Sequence, residues 1–419
     1  MLRTLQLLIW TFLVGCALDR VAFADTALMM IGQPATEATL VNSETDGTLQ
    51  FRIAGKTRDV SLRQLVRWKT LPITRRQSEL VLVDGSRLVL ADVWTGEPVW
   101  QVLGDVFMAS TELFGKIELP CSQVRAILLK RSKVQENCPQ DLAQPNEAGD
   151  SEEESRSDVV CFLNGDRWEG KLDRLAKNDQ GQWCIFWSTD SAKDPLPLPV
   201  SQVAAIGLGN RLPRAAAKAR IVVGLRDGSV LWAESLVANS ESLQVTLSGG
   251  VELIGSDHRE VAHLRSLESE SVFLSDLEPA DYRHLPYLEI RWPYQNDRNV
   301  LAKPLRAQGQ IFAKGIGMPT AARLTYPLPA PGRKRWQRFV AAVAVDDAAG
   351  RGGSVIFRVY LKQAGSWQLA YESPQVRGTD VPVPASVDLG MATQLALVTD
   401  FAERGDELDY ANWLDARLE

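Results

Sequence analysis

Short apolar runs broken by Asp-Gly or Asn-Gly recur through the first two thirds of the chain. The stretches "LVLVDGSRLVL" (Leu80 to Leu90), "VVCFLNGDRWEGKL" (Val159 to Leu172) and "IVVGLRDGSVLWAESL" (Ile221 to Leu236) each place such a pair between residues of strand-forming character. Glycine takes positive φ without steric cost, and Asp or Asn tolerates it, so this spacing predicts a strand, a tight turn and a second strand.

Downstream of the first two stretches the chain reads "LPCSQVRAILL" (Leu119 to Leu129) and "LPVSQVAAIGL" (Leu198 to Leu208), an internal repeat of Leu-Pro-x-Ser-Gln-Val followed by Ile. A third copy ends more loosely at "HREVAHLRSL" (His258 to Leu267), and a degenerate leading copy runs from Thr39 to Trp68. Each unit is expected to be a meander of about five short strands, a size that closes into a small barrel. In strand pattern alone the units resemble SH3-like and Sm-like barrels; one continuous sandwich built from the same strands is the alternative.

Between the first two clear copies, residues 130–158 contain almost no large apolar side chains and carry "DSEEES". Such a segment buries too little surface to offset its ordering entropy, and is expected to be an acidic disordered linker. From Val272 the composition shifts to Pro, Trp and Tyr with longer alternating runs such as "SVIFRVYL" (Ser354 to Leu361) and "QLALVTDF" (Gln394 to Phe401). The expected organisation is β-repeats over 25–129 and 159–270 around the linker, then a second all-β domain over 271–419.

The first residues place Arg3 before an apolar run from Leu5 to Leu18, the length of a signal-peptide core and short of a comfortable membrane span. Two processing routes remain open: cleavage after Ala24 in "AFAD", making residues 1–24 a signal peptide, or a lipobox-like "LVGC" that leaves Cys16 lipidated. Both imply export to the periplasm, the cell surface or the medium, and no later stretch reaches spanning length. A net charge of −6 provides no basic field for nucleic acid. Cys121, Cys138, Cys161 and Cys184 are disulfide candidates of open connectivity in an oxidising compartment; their closest spacing is too wide for a zinc site.

Catalytic constellations are not recognisable. His258, His263 and His284 are the three histidines, none in a nucleophile setting, and there is no G-x-S-x-G elbow. Asp346 and Asp347 precede a glycine-rich turn; neighbours on a strand end point to opposite faces, which suits turn formation or a loop calcium site better than an acid and nucleophile pair. The expectation is a protein that is not an enzyme and requires no cofactor, with calcium at Asp346 and Asp347 as the candidate metal.

The segments "FLSDLEP" (Phe273 to Pro279), "WPYQNDRNV" (Trp292 to Val300), "PLRAQGQIFAKGIGM" (Pro304 to Met318), "RFVAAVAVDDAAGRGGSVIFRVYL" (Arg338 to Leu361) and "DYANWLDARL" (Asp409 to Leu418) follow one another in an order that resembles the NPCBM domain family. That resemblance covers about Val272 to Glu419 and implies a galactose-binding-like jelly-roll sandwich with glycan binding. Two motifs depart from it: Lys314-Gly315-Ile316-Gly317-Met318-Pro319 where the family often has Lys-Gly-Leu-Gly-Val-His, and Asp409-Tyr410-Ala411-Asn412-Trp413 where it often has Asp-His-Ala-Asp-Trp.

For sugar recognition an aromatic ring stacks on a pyranose face while polar side chains bond its hydroxyls. The candidates are Trp292, Tyr294, Asp297, Asp409, Tyr410 and Asn412, with Trp413 read as buried framework. Alternation over "ANWLDARL" puts Asn412, Leu414, Ala416 and Leu418 on one face and Trp413, Asp415 and Arg417 on the other, so that Asp415 and Arg417 pair locally. The leading expectation is an exported, non-catalytic binder of a carbohydrate or glycoconjugate. The rival is a structural or protein-interaction scaffold whose sandwich does not bind sugar.

Overall fold

A computed structural model describes residues 27–72, 77–91, 99–129, 157–209, 218–286, 290–329, 336–403 and 405–419. The candidate signal segment with Cys16, all but the last two residues of the acidic linker, and Cys138 lie outside the described residues. The described chain is all-β: antiparallel strands joined by loops and short 3₁₀ turns, with no α-helix among these residues. No helix there is long and apolar enough to cross a membrane.

Four N-terminal segments share one pairing. The first strand of each lies antiparallel to the last: β1 (Ala27–Met30) to β2 (Leu65–Trp68), β3 (Glu79–Leu82) to β4 (Val124–Leu128), β5 (Asp158–Phe162) to β6 (Val203–Gly207), and β7 (Ile221–Leu225) to β8 (Val261–Ser266). In every segment the residue after the first strand donates its N–H to the carbonyl just before the last strand: Ile31 to Gln64 at 3.0 Å, and Val83 to Gln123, Leu163 to Gln202 and Arg226 to Glu260 at 2.9 Å.

The turn chemistry behind this is local. Asp84, Asn164 and Asp227 each accept through Oδ1 from the N–H two residues on, at 2.8, 3.1 and 2.8 Å. The intervening Gly85, Gly165 and Gly228 sit at φ of 88°, 95° and 101°, where a side chain would be strained. In the Leu-Pro-x-Ser-Gln-Val copies, Pro120 and Pro199 have φ of −56° and −57°, the value their rings impose, and lead into the 3₁₀ turns Cys121–Gln123 and Val200–Gln202.

The closing strands also join segments to one another. β4 pairs with β6 through Ala126, Ile127 and Leu128 against Gly207, Ile206 and Ala205, and β8 pairs with β2 through Leu264 and Arg265 against Trp68 and Arg67. A single apolar core runs from Leu28 to Leu264. Cys121, Cys161 and Cys184 are all buried in this part. Burial raises the Cys184 thiol pKa.

The C-terminal part is a two-sheet sandwich. One sheet has the order β10 (Gln295–Asn296), β11 (Gly315–Met318), β18 (Ala411–Leu418), β13 (Arg338–Val345) and β16 (Val383–Asp388). The other has β9 (Asp281–His284), β12 (Ala322–Pro327), β17 (Gln394–Phe401), β14 (Ser354–Gln363) and β15 (Ser366–Glu372). Trp413 is 0% exposed between them, its ring edge-to-face with Phe357 at 5.2 Å and with Phe339 at 6.1 Å. A hairpin of Leu305–Ala307 and Gln310–Phe312 contributes a smaller core with Ala342, Ala344 and Leu414.

Strict alternation along the final strand does not hold. Register against β13 slips between Val340 and Ala342, opposite Asp415 at φ +48°, which is a β-bulge. The extra residue reverses the phase: Ala411, Trp413, Ala416 and Leu418 all join the main core, while Leu414 joins the hairpin core. Asp415 is not a local partner of the Arg417 guanidinium through its carboxylate. Arg417 binds the Glu419 carboxylate at 2.7 Å, and the Asp415 carboxylate accepts from Arg67 Nε at 2.7 Å.

The two parts meet along that strand and the hairpin. Leu71 N–H donates to Ile311 O at 3.0 Å, Glu270 N–H to Arg63 O at 3.2 Å, and Gly32 N–H to Glu419 Oε2 at 3.2 Å. The Arg67 guanidinium also lies over the Phe312 ring, 5.6 Å from its centroid. Neighbouring His263 is buried against the Lys69 carbonyl at 3.0 Å, and burial pushes its pKa down to about 3.

Candidate functional site

Strand register brings several loops to one end of the sandwich. His284 lies opposite Ala322, which lies opposite Thr399; Met318 and Val345 both lie opposite Ala411. The described loop residues 285–286, 290–294, 319–321, 346–353, 402–403 and 405–410 therefore share this end. It holds Trp292, Tyr294, Asp409 and Tyr410, four of the six candidate sugar-contact residues.

Trp292 is the exposed ring among them, with 40% of its surface open. Its backbone is fixed on both sides by the edge strand β9. Its carbonyl accepts from the Tyr282 hydroxyl at 2.6 Å, and its N–H donates to His284 Nδ1 at 3.2 Å. Tyr282 and His284 are two apart on one strand, so the pleat points both side chains the same way. The Tyr282 ring packs edge-to-face on Tyr294 at 5.1 Å, and burial pushes its phenol up to about 12, so it stays a neutral donor. Leu285 and Ile290 on the same loop are exposed and add apolar surface.

Asp409 lies beneath this layer, 3% exposed. Its Oδ2 accepts from the Thr320 hydroxyl at 2.9 Å and its Oδ1 from the Ser354 N–H at 2.7 Å. Burial, with Asp406 adding like charge, raises its pKa to about 6, and the two hydrogen bonds pull the other way. Thr320 in turn receives His284 Nε2 on its carbonyl at 3.0 Å. Tyr294 and Tyr410 are half-buried against the main core, and the Tyr410 carbonyl accepts from the Asp346 N–H at 2.8 Å.

Asp297 stands elsewhere, and Asn412 is buried one residue in from this end. Asp297, at φ +56°, binds Lys314 Nζ at 2.5 Å and the Gly315 N–H at 3.1 Å, and Asp276 takes the same ammonium at 2.6 Å. Asn412 is 0% exposed, its Nδ2 donating to Asp346 Oδ2 at 2.7 Å. No local feature of the sequence gives away either partner, because both arrive from other strands.

The carboxylates put forward for calcium have a different occupation. Asp346 accepts from Asn299 Nδ2 and the Ala348 N–H on Oδ1, both at 3.0 Å, and from the Arg306 N–H and Asn412 Nδ2 on Oδ2. Asp347 accepts from the Gln308 and Gly309 N–H groups at 2.9 and 2.8 Å. All six contacts present hydrogens to the oxygens, the polarity of a loop clamp; a calcium ion needs lone pairs converging on one point. Among the described residues no three His, Cys, Asp or Glu side chains cluster as a metal-holding group.

Residues missed by sequence reasoning are Tyr282, His284 and Thr320. The signal that finds them is positional: an aromatic and a histidine two apart on an edge strand, just before a Trp-bearing loop.

Comparison with known proteins places the sandwich. The family model described as the NPCBM/NEW2 domain matches residues 270–419. No curated protein matches the chain. Among solved structures, similarity extends to a CBM51 module from Clostridium perfringens GH95 in complex with methyl-galactose, at 24% identity over 36% of this chain and 99% of that one, with a TM-score of 0.31. It extends also to CBM51-2, in complex with GlcNAc, and INT domains from Clostridium perfringens ZmpB, at 20% identity over 58% and 45% with a TM-score of 0.31. Tandem CBM51 modules of Sp3GH98 from Streptococcus pneumoniae SP3-BS71 follow at 13% identity over 83% and 95%, TM-score 0.30.

Proposed function

We propose that this protein is an exported, non-catalytic carbohydrate-binding protein that takes its ligand at the loop end of the C-terminal sandwich, with Trp292 as the stacking ring. The observation that supports it most is the state of Trp292: an open ring on a backbone held at both its carbonyl and its N–H, within an NPCBM/NEW2 domain. A backbone already held in place loses little freedom when a sugar face covers its ring, so more of the contact energy appears as affinity. Tyr410 and Tyr294 would line the site from the core side. Asp409, buried and doubly bonded, shapes the floor. Export rests on the apolar run from Leu5 to Leu18 and its processing sites.

Titration of the full chain with methyl-galactose and with GlcNAc, read by tryptophan fluorescence, tests this. A saturable change that Trp292→Ala abolishes is expected; a saturable change that survives Trp292→Ala counts against the assignment of the site.

The scaffold reading has its own support in the commitment of Asp297, Asp409 and Asn412 to internal partners, which leaves few free polar groups for hydroxyls. It expects no glycan retention and a stable partner complex instead.

A further inference from the structure

The bonding around His284 fixes more than its place. An imidazole nitrogen that accepts a hydrogen bond carries no proton, and Nδ1 accepts from the Trp292 N–H at 3.2 Å. In the neutral ring the proton is then on Nε2, which points it at the Thr320 carbonyl at 3.0 Å. The Thr320 hydroxyl donates to Asp409, and Asp409 accepts from the Ser354 N–H. Hydrogen bonds on the backbone carbonyl and the side-chain hydroxyl of Thr320, joined by that residue's covalent frame, therefore link the exposed Trp292 through His284 to the buried Asp409 carboxylate and the start of β14.

We propose that His284, in its Nε2–H tautomer, is the positioning residue that holds Trp292 in its binding pose by coupling it through Thr320 to Asp409. This rests on the carbohydrate reading of the loop end. His284 is assigned no contact with ligand. Its work is to satisfy an N–H on one side and a carbonyl on the other at the fixed spacing of the two ring nitrogens. With Nδ1 lost, the Trp292 N–H turns to solvent, and of its two bonds to β9 the one from Tyr282 to the Trp292 carbonyl remains. The ring then samples poses that do not bind, and apparent affinity falls by the fraction of time spent in them.

Nitrogen NMR of the imidazole in the full chain tests the tautomer directly: Nε2 is expected to be protonated and Nδ1 bare, and the reverse assignment overturns the proposal. Two variants test the positioning. His284→Phe keeps the ring shape and removes both nitrogens; His284→Asn keeps an acceptor near the Nδ1 position. The Phe variant is expected to speed hydrogen exchange at the Trp292 amide by about fivefold or more and to weaken binding of whichever of methyl-galactose or GlcNAc the protein retains by about three- to tenfold, the worth of one hydrogen bond. The Asn variant is expected to recover most of both. Exchange at Trp292 unchanged in the Phe variant relative to the unmodified chain, or equal loss in Phe and Asn variants of unchanged melting temperature, contradicts the proposal. If neither sugar binds the unmodified chain, the carbohydrate reading falls on those probes, while the tautomer and exchange results still decide the positioning role.

Discussion

Arg67, on the closing strand of the first N-terminal segment, meets Asp415, on the closing strand of the sandwich, through an Nε to Oδ2 contact of 2.7 Å with side chains 4% and 5% exposed. The two residues are 348 positions apart. A buried ion pair is poor evidence of net stabilisation, since both ions surrender hydration, but removing one partner strands the other. Asp415→Ala is expected to destabilise the full chain by about 3–5 kcal/mol in urea unfolding. The double variant Arg67→Met with Asp415→Leu should cost clearly less than the single change. Equal losses would show that the site matters for packing and not for charge.

Asp409 gives a pH signature. Its folded-state pKa is raised to about 6 from the ordinary 3.8, so between those values the folded chain holds a proton that the unfolded chain has released. The cost of its burial is therefore fully present above about pH 6 and is relieved as pH falls toward 4. Asp409→Asn keeps an oxygen for the Ser354 N–H and removes the titration. The melting temperature of the unmodified chain relative to this variant should rise on moving from pH 7.5 to pH 4.5. A constant difference across that range contradicts the assignment.

Two tryptophans should separate framework from surface. Trp413→Ala opens a void between Phe339 and Phe357 in a fully buried position and is expected to cost about 3–5 kcal/mol. Trp292→Ala removes a ring that is already 40% exposed and should cost clearly less, about 1–2 kcal/mol. Urea denaturation of both variants checks the contrast.

The hairpins were legible because Asp-Gly and Asn-Gly specify a backbone conformation by themselves, and Gly85, Gly165 and Gly228 adopt it. Burial of Trp413 was legible from residue type. The phase of the last strand was not: the bulge sits at an Asp with no glycine in the strand to mark it, so alternation through Asp415 pointed Trp413 away from Leu418 when both face one core. Asp297 and Asn412 looked like sugar ligands because a polar residue beside an aromatic one has that chemistry on its own. Lys314 and Asp346, which occupy them, reach them only through strand pairing. His284 has no nucleophile beside it in sequence, and its bond to the Trp292 N–H forms only where the chain turns back past β9.

The central claim is that the loop end of the sandwich binds carbohydrate through Trp292. The most direct measurement is retention of the full chain on a broad glycan array, with and without calcium, run beside Trp292→Ala at matched folded fraction. Retention on at least one glycan, independent of calcium and reduced about tenfold or more in the variant, is the result predicted here. Absence of retention on every glycan in both conditions, or equal retention by the variant, would contradict it.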